Sequence, residues 1–579
     1  MIVRRLHSLS SHRGLARKVA LGTFVALRFE TSTIVGGKKG GEAAVNRLGP
    51  VLVILLFASI WGGCSKRTTA IDVTAFGAAG NGTTDDTADI NNAIAALTPG
   101  ATLLFPCGTY LTTSQLTLNL SNITVDGSGC ATIHNTSSGT IMVIGGSGNG
   151  NPNYGPAIAL SATANELATS FTTVSSLGVS AGDYVYIHQG GLDYSSDTPP
   201  GHPTNCDVSG CRGELVKVAS LSGNTITVTT ALHDTYNPSE NGTTAQKMLG
   251  PLTGITVKNI VLDGNSSNVY GLAIAGVADS TVTGITVENV RGSALLNRGD
   301  FNMSWSNIAV TGAGSAHCGS SAWFEDQGNL SVNGMVISNE NPGTSGAGCL
   351  DNGAFGFELI GSANSTIANL TVDGARAYGR PLKTTASRWN TFNSLTIRNG
   401  VAAMNGISVE YYSSHNTYNN CVVTNNGAGT GTGTGSAGIN LFGNFNQYNF
   451  FNNCMITGNG NVQLSDSGYD ALHLAADSSN TINGGVFTGI NNVTAVIELH
   501  GANDNVTSAV INGPGAQGMY LGSTGACVNN NTFSAGTGLG TAISSNSATN
   551  IGSGNTLNGL SSTLTQGGCT APKQMANSR

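Results

Sequence analysis

The chain has 579 residues, of which 81 are glycine, 9% are charged and 39% are apolar, and its formal charge is −7. That apolar fraction excludes a disordered chain and suffices for a large core. No continuous basic stretch marks a nucleic-acid surface, so no nucleic acid partner is expected.

Residues 1–63 read as a targeting segment. The eleven apolar residues 51–61, VLVILLFASIW, are too few to span a bilayer comfortably. Lys38, Lys39 and Arg47 precede them and Gly62-Gly63-Cys64-Ser65 follows, which is the charged, apolar, small-residue order of an export signal. The segment resembles a bacterial lipoprotein signal, which implies lipidation at Cys64 and a place on the cell envelope, at the outer-membrane surface. Trp61 stands where such signals usually carry Leu, so ordinary secretion stays open. Residues 1–37 precede a complete signal and read as superfluous, as from a start codon set too far upstream of a true start near Val45. Residues 1–63 hold nine Lys/Arg and two Asp/Glu, and without them the chain is formally −14. Such a surface disfavours an anionic membrane partner, and a polyanionic substrate unless a cation intervenes.

Eleven cysteines, at 64, 107, 130, 206, 211, 318, 349, 421, 454, 527 and 569, leave an even ten if Cys64 is lipidated, as expected of an oxidising compartment. Cys421 and Cys454 hold equivalent places in successive repeats and should stack, and Cys206 and Cys211 are close enough for a local bridge. No Cys/His spacing suits zinc, so no metal is assigned.

Residues 71–111 read as a strand, a Gly-rich turn, one helix and a strand ending in F-P-x-G-T-Y. Ile90, Ala93, Ile94 and Leu97 form one apolar helical stripe, Asp85 or Asp86 caps its start, and Pro99-Gly100 stops it. One amphipathic helix after one strand suits the cover that the first rung of a β-solenoid needs. The pattern V-T-x-F-G-A-x-G-[ND]-G-x-T-D-D-T-x-x-I-x-x-A-I, followed by F-P-x-G-T-Y-L, resembles the N-terminal segment of the pectate-lyase-like superfamily. That group includes rhamnogalacturonase/epimerase-like proteins and phage tailspikes. The resemblance implies an all-β right-handed parallel β-helix, a pectin-lyase-like solenoid with an N-terminal capping helix.

Residues 64–154 are assigned to the cap and first rungs, 155–250 to a small inserted β module, 251–560 to the main helix and 561–579 to a tail. In the module, Ser222-Gly223-Asn224 lies between two alternating strands and reads as a hairpin turn. The insert could wall one side of a groove, bind substrate or be purely structural. Beyond it, GITVKNIVLDG (254–264), GITVENVRG (284–292), NLTVDGA (369–375), SLTIRNG (394–400), CVVTNNG (421–427) and CMITGNG (454–460) are copies of one unit, a solenoid period with variable turns. Asn at the turns suits left-handed backbone and side-chain ladders.

A second repeating strand precedes each copy, among them SALLNRG (293–299), SAWFEDQG (321–328), FGFELIG (355–361), RPLKTTA (380–386), GISVEYY (406–412), GINLFG (438–443), DALHLAA (470–476) and VIELHG (496–501). With Leu, Ile and Phe inward, alternation puts Arg298, Glu325, Glu358, Lys383, Glu410, Asn440, His473 and Glu498 in one outward column. Glu325 and Glu358 are then expected about 5 Å apart, and Glu358 and Glu410 about 10 Å apart with Lys383 between, separations that span both modes of glycoside hydrolysis. Trp323, Asp326, Tyr411 and Tyr412 lie on or near these rungs as candidate sugar contacts, with Trp389 close by. Asp300, Asp326, Asp351 and Asp470 near strand ends could serve instead, because a strand register can be off by one. A ladder of alternating surface charges that keeps an exposed sheet soluble is the competing reading.

The reaction read from this column is hydrolysis of a polysaccharide by Glu325, Glu358 and Glu410 as acid, base or nucleophile, with Lys383 orienting the substrate. The superfamily's lyases use a Lys or Arg base, often with calcium, which implies a second reading, a lyase or uronate epimerase with Lys383 as base. A non-catalytic glycan-binding lipoprotein is the third. The N-T-D, D-D, G-H-G and R-I-K motifs of polygalacturonases do not occur in that order, which puts pectin hydrolysis in doubt.

Overall fold

The computed structural model of the protein describes residues 69–146, 150–189, 212–239, 243–314, 320–339, 355–374, 380–400, 405–427, 437–442, 446–460, 462–465, 478–489, 495–513, 517–535 and 540–569. The targeting segment with Cys64, and Cys206, Cys211, Cys318, Cys349, Asp351, Asp470 and His473, lie outside the described residues.

Each coil contributes short strands that pair in parallel with the coils before and after. In one coil they are Leu382–Thr385, Thr391–Asn393 and Thr396–Arg398, and in the next Asn405–Glu410, Thr417–Asn419 and Val422–Thr424. The register sets Leu382 on Ile407, Thr391 on Thr417 and Thr396 on Val422. Among the described residues, 27 strands join in one parallel assembly and 14 in a second, around a single apolar core that runs from Val73 to Leu564. The architecture is a parallel β-helix.

The corners are made by residues that tolerate left-handed backbone. Asn369, Ser394, Asn420 and Asn453 hold one corner in successive coils at φ of 52°, 55°, 53° and 53°. Asparagine suits this region because its short polar side chain bonds locally. Inside another corner, Asn390, Asn416, Asn449 and Asn480 form a buried ladder. Asn416 Oδ1 accepts the Asn390 backbone N–H at 3.1 Å and Asn390 Nδ2 at 3.0 Å, while Asn416 Nδ2 donates to the Ser387 carbonyl at 2.8 Å. Turn backbone that would otherwise be buried without partners is thereby satisfied.

At the N-terminal end the helix runs Thr87–Ala95, with Ile90 and Ala93 fully buried and Ile94 and Leu97 packed against the same core. It ends one turn before Pro99. The two aspartates divide the work at its start. Asp85 Oδ1 accepts the N–H of Thr87 at 3.0 Å and Asp85 Oδ2 the hydroxyl of Thr113 at 2.8 Å. Asp86 makes no side-chain cap. It is buried and accepts the N–H groups of Ala79 at 2.6 Å and Gly80 at 3.2 Å, pinning the Gly-rich turn to the helix.

Six antiparallel strands between Ile158 and Lys247 form a separate sheet with its own core of Leu160, Phe171, Val185, Ile187, Val216 and Ile226 among others. The hairpin Arg212–Ser222 and Thr225–Val228 turns at Gly223-Asn224, where Gly223 has φ 60°. This module is docked on a corner of the β-helix. The Tyr184 hydroxyl donates to Asp279 at 2.9 Å, Asp234 pairs with Arg388 at 3.0 Å, and Glu166 Oε1 accepts Trp389 Nε1 at 2.8 Å.

One rung differs from the expected assignment. The strand paired between Ala437–Phe442 and Ala495–Leu499 is Val462–Ser465, not residues 470–476, so Ser465 takes the place expected of His473. Variable coil length moved the strand upstream of the apolar run that imitates it.

Asn416→Ala removes an acceptor shared by two buried donors of Asn390 and should cost about 2–4 kcal/mol. Unfolding in denaturant checks it.

Candidate functional site

The 14-stranded sheet turns one face to the core and the other outward, and the expected polar residues do share the outer face. Phe324, Leu359, Leu382 and Val409 point into the core, while Glu325, Glu358, Lys383 and Glu410 point away from it. They make two columns rather than one. The first runs Trp323, Glu358, Lys383, Ser408, Asn440, Ser465, Glu498 and Tyr520. The second, two residues further along each strand, runs Arg298, Glu325, Ile360, Thr385 and Glu410. Glu325 therefore faces Arg298 and Ile360, not Glu358, and Glu410 lies diagonal to Lys383. Side-chain alternation fixes a face but cannot tell a position from one two residues away.

Facing outward does not leave these residues exposed. Lys383 and Glu410 are fully buried, and Glu325 and Glu358 are 3% exposed. The sheet face is covered, so a soluble surface ladder is excluded at these rungs.

The first cluster lies where the module meets the sheet. Arg298 Nε pairs with Glu325 Oε2 at 2.8 Å, Arg298 donates to Asn151 Oδ1 at 2.7 Å, and its guanidinium sits 4.8 Å from the centre of the Trp323 ring. Asp326 begins the corner after Glu325 with φ 54° and receives the hydroxyl of Tyr186, a module residue, at 2.8 Å. The rungs on either side have glycine there. A Cβ on Gly361 would lie 2.7 Å from Asp326 Oδ1, and one on Gly299 would lie 2.6 Å from the Tyr154 hydroxyl. Burial, and then the charge of Glu325, push the Asp326 carboxyl well above the usual range against the Tyr186 bond and Arg298. Asp300 is likewise held well above it by burial, although it accepts the Val277 N–H at 2.9 Å. The Tyr154 hydroxyl, raised by burial and by Asp326, Asp300 and Glu325, stacks its ring on Tyr186 at 5.4 Å.

The second cluster continues from it along the sheet. Lys383 Nζ lies 3.0 Å from Glu358 Oε1, 3.7 Å from Glu410 Oε2 and 4.5 Å from the centre of the Phe355 ring. Two carboxylates that reach one ammonium at those distances lie within about 7 Å of each other, inside the spread known for glycosidase pairs. Ser320 donates to Glu358, while Glu410 Oε1 receives Ser408 at 2.7 Å and Arg380 at 2.7 Å. Each charge thus has an opposite charge beside it. Among the described residues no three His, Cys, Asp or Glu side chains converge as cation ligands.

A family model described as rhamnogalacturonase A/epimerase, pectate lyase-like, matches residues 70–318. The solved tailspike protein gp49 of Pseudomonas phage LKA1 is similar in fold, with a TM-score of 0.50 at 15% identity over 86% of this chain and 83% of that one. Residues 70–318 are thus similar to the pectate-lyase-like family, and the whole β-helix shares its fold with the gp49 tailspike. Weaker structural likenesses are the tailspike gp61 of Pseudomonas phage phi297 (TM-score 0.47, 13% identity, 85% of this chain and 81% of that one) and the A-module of the Azotobacter vinelandii mannuronan C-5 epimerase AlgE4 (0.37, 11%, 86% and 96%). No curated protein sequence matches the chain.

On this parallel β-helix the remaining candidates disperse. Asn440 is buried in the first column, and Glu498, half-buried, lies two rungs beyond it beside Ser465. Tyr411 and Tyr412 form the corner after Glu410, at φ 27° and 57°, with Tyr411 buried. Trp389 is buried under the module and stacked on His415, so packing accounts for it. Sequence reading missed Arg380, Ser320, Tyr154 and Tyr186. Arg380 stood visible three residues before Lys383, but Tyr154 and the module's Tyr186 are about 140–170 positions away from Asp326 and carried no signal.

Lys383→Met leaves two buried carboxylates without their shared cation and should cost about 3–5 kcal/mol in denaturant unfolding. Asp300 gives a pH signature. A carboxyl whose pKa rises on folding stabilises the fold below its unfolded value, near 3.8, and that contribution is lost as pH rises through the folded value. Asp300→Asn, which can keep the Val277 bond, should therefore be more stable than the parent at pH 7, with the gain fading toward pH 4. Unfolding midpoints across that range check it.

Proposed function

We propose that this chain is a carbohydrate-active enzyme that hydrolyses glycosidic bonds in a polysaccharide, with Asp326 as general acid and Glu325 as the carboxylate that activates water. The carrying observation is the contrast within this neighbouring pair. Burial and the charge of Glu325 push the Asp326 carboxyl well above the usual range, which favours its protonated form, whereas Glu325 is ion-paired with Arg298. Carboxyl groups whose environments push them apart in this way divide the roles of acid and base. Asp326 gives its proton to the leaving oxygen, Glu325 takes one from the attacking water, and water is added across the bond. Half-buried Trp323, braced by Arg298, supplies an aromatic face beside the pair.

Glu358, Lys383 and Glu410 fix the neighbouring electrostatics on this reading. Lys383 as the base of a lyase or epimerase would have to give up both ion pairs, which is why hydrolysis stands first. The family model's description as rhamnogalacturonase A/epimerase supports a carbohydrate substrate.

We also propose that the chain is exported and anchored at the bacterial cell envelope through Cys64. Its support is the apolar run before Cys64 and the bridges Cys107–Cys130, Cys421–Cys454 and Cys527–Cys569, which belong in an oxidising compartment.

Incubation with a polysaccharide panel, with products read by mass, tests the reaction. A gain of one water per bond cleaved is expected, and Glu325→Gln and Asp326→Asn should each slow product release by about 10²–10⁴-fold. Products absorbing in the ultraviolet would mean elimination instead, and undiminished cleavage by both variants would remove the pair from the mechanism.

A further inference from the structure

One corner column carries side chains that its backbone does not favour. Asp279, Asn302, Asn329, Asn364, Trp389, His415, Tyr448, Ser479 and Asn503 occupy equivalent places in successive coils, all with φ between 49° and 61°. The backbone N–H of each from Asn302 to Asn503 bonds to the next coil, as in Trp389 to Ser414, His415 to Gln447 and Tyr448 to Ser478. Asn and Asp suit this left-handed conformation, and the asparagines ladder, with Asn364 Nδ2 donating to Asn329 Oδ1 at 2.6 Å. His is tolerated there, but bulky Trp and Tyr rings are strained. Three consecutive coils nevertheless have Trp, His and Tyr.

The three rings stack, Trp389 on His415 at 4.4 Å and 0°, and His415 on Tyr448 at 4.9 Å and 23°. The first two have a structural reason. Glu166 of the module holds Trp389 and lies 3.7 Å from His415, whose imidazole is kept neutral by burial and by Arg388, its pKa lowered to about 4. Tyr448 extends the stack beyond them and is 40% exposed. Among the described residues, the next coil places the small Ser479 beneath its far face, and the coil after that has exposed Asn503. Two coil steps, roughly 10 Å, separate Tyr448 from Asn503, about the thickness of one ring seated between two neighbours.

We propose that Tyr448 and Ser479 form a slot that takes one pyranose ring of a polysaccharide, stacked on Tyr448 as the fourth layer of the column, with Asn503 bonding its hydroxyls. The ring takes the layer in which Ser479 is the small residue between Tyr448 and Asn503. A sugar's C–H face fits an aromatic ring, and its rim of hydroxyls fits a carboxamide. The strain at Tyr448 is retained for binding rather than for the fold. The slot lies on the corner that follows the strands carrying the carboxylates, so a bound chain can run from one to the other. The inference rests on the reading of the protein as polysaccharide-acting.

The test uses the full chain and immobilised hexasaccharides of cellulose, β-1,3-glucan, xylan, mannan and polygalacturonate, with thermal midpoints measured in parallel. The parent should bind at least one. Tyr448→Asn, which restores the residue the backbone prefers, should weaken that binding at least tenfold with an equal or higher midpoint. Tyr448→Phe should keep the affinity, and Ser479→Phe, which fills the slot, should lose it. Unchanged affinity in Tyr448→Asn, a fall in its midpoint with affinity intact, or no binding by the parent would each overturn the proposal. Binding without cleavage would leave the slot standing and remove the enzyme.

Discussion

The step of about 4.8 Å between parallel strands governs this molecule, because it sets each side chain directly on its counterpart in the next coil. A column of equivalent positions is thus a physical line of contacts, in which like charges repel and unlike charges, amides or rings support one another. Glu358 on Lys383, Arg298 on Glu325, the Asn390–Asn416–Asn449–Asn480 ladder and the Trp389–His415–Tyr448 stack are four uses of the same spacing. Coil length between these positions varies freely, since only the stacked residues must keep step.

The carboxylate patch sits uneasily with stability alone. Burying Lys383 with Glu358 and Glu410 costs desolvation that their attraction repays only with good geometry, and apolar residues of similar size often do as well or better. Asp300 and Asp326 add to the cost, because burial pushes both carboxyls well above the range they have in the unfolded chain. A chain with so few charged residues has placed many of them on one covered sheet face. A solubility ladder does not account for this expense, because the face is buried, whereas the catalytic role proposed above would.

The fold was legible because its signals are local and repeat. The Gly-rich turn and F-P-x-G-T-Y sit within one stretch of 41 residues, and asparagine at left-handed corners recurs in nearly every coil. The outer face was legible for the same reason, since alternation within a strand separates Phe324 from Glu325. The column was not. Choosing between Glu358 and Ile360 as the neighbour of Glu325 needs the register between coils, and coil lengths differ too much to count it. Outward also proved different from exposed. Tyr186 reaches the Asp326 cluster from the module and Tyr154 from the segment just before it, and a contact across so much chain leaves no trace in periodicity.

The inserted module connects these observations. It docks on the same corner whose column turns from asparagine to aromatic, with Glu166 on Trp389 and Asp234 on Arg388, and at its other edge it delivers Tyr186 to Asp326. Docking alone explains rings at Trp389 and His415, which lie against Glu166. It does not explain the ring at Tyr448, one coil further on, where asparagine would relieve the backbone and extend a ladder that the column already uses. A position that departs from the local rule without gain in packing is where selection for something other than stability is to be sought. Tyr448 meets that criterion on the same corner that carries Asp326, which joins the candidate chemistry and the candidate ring slot to one edge of the β-helix.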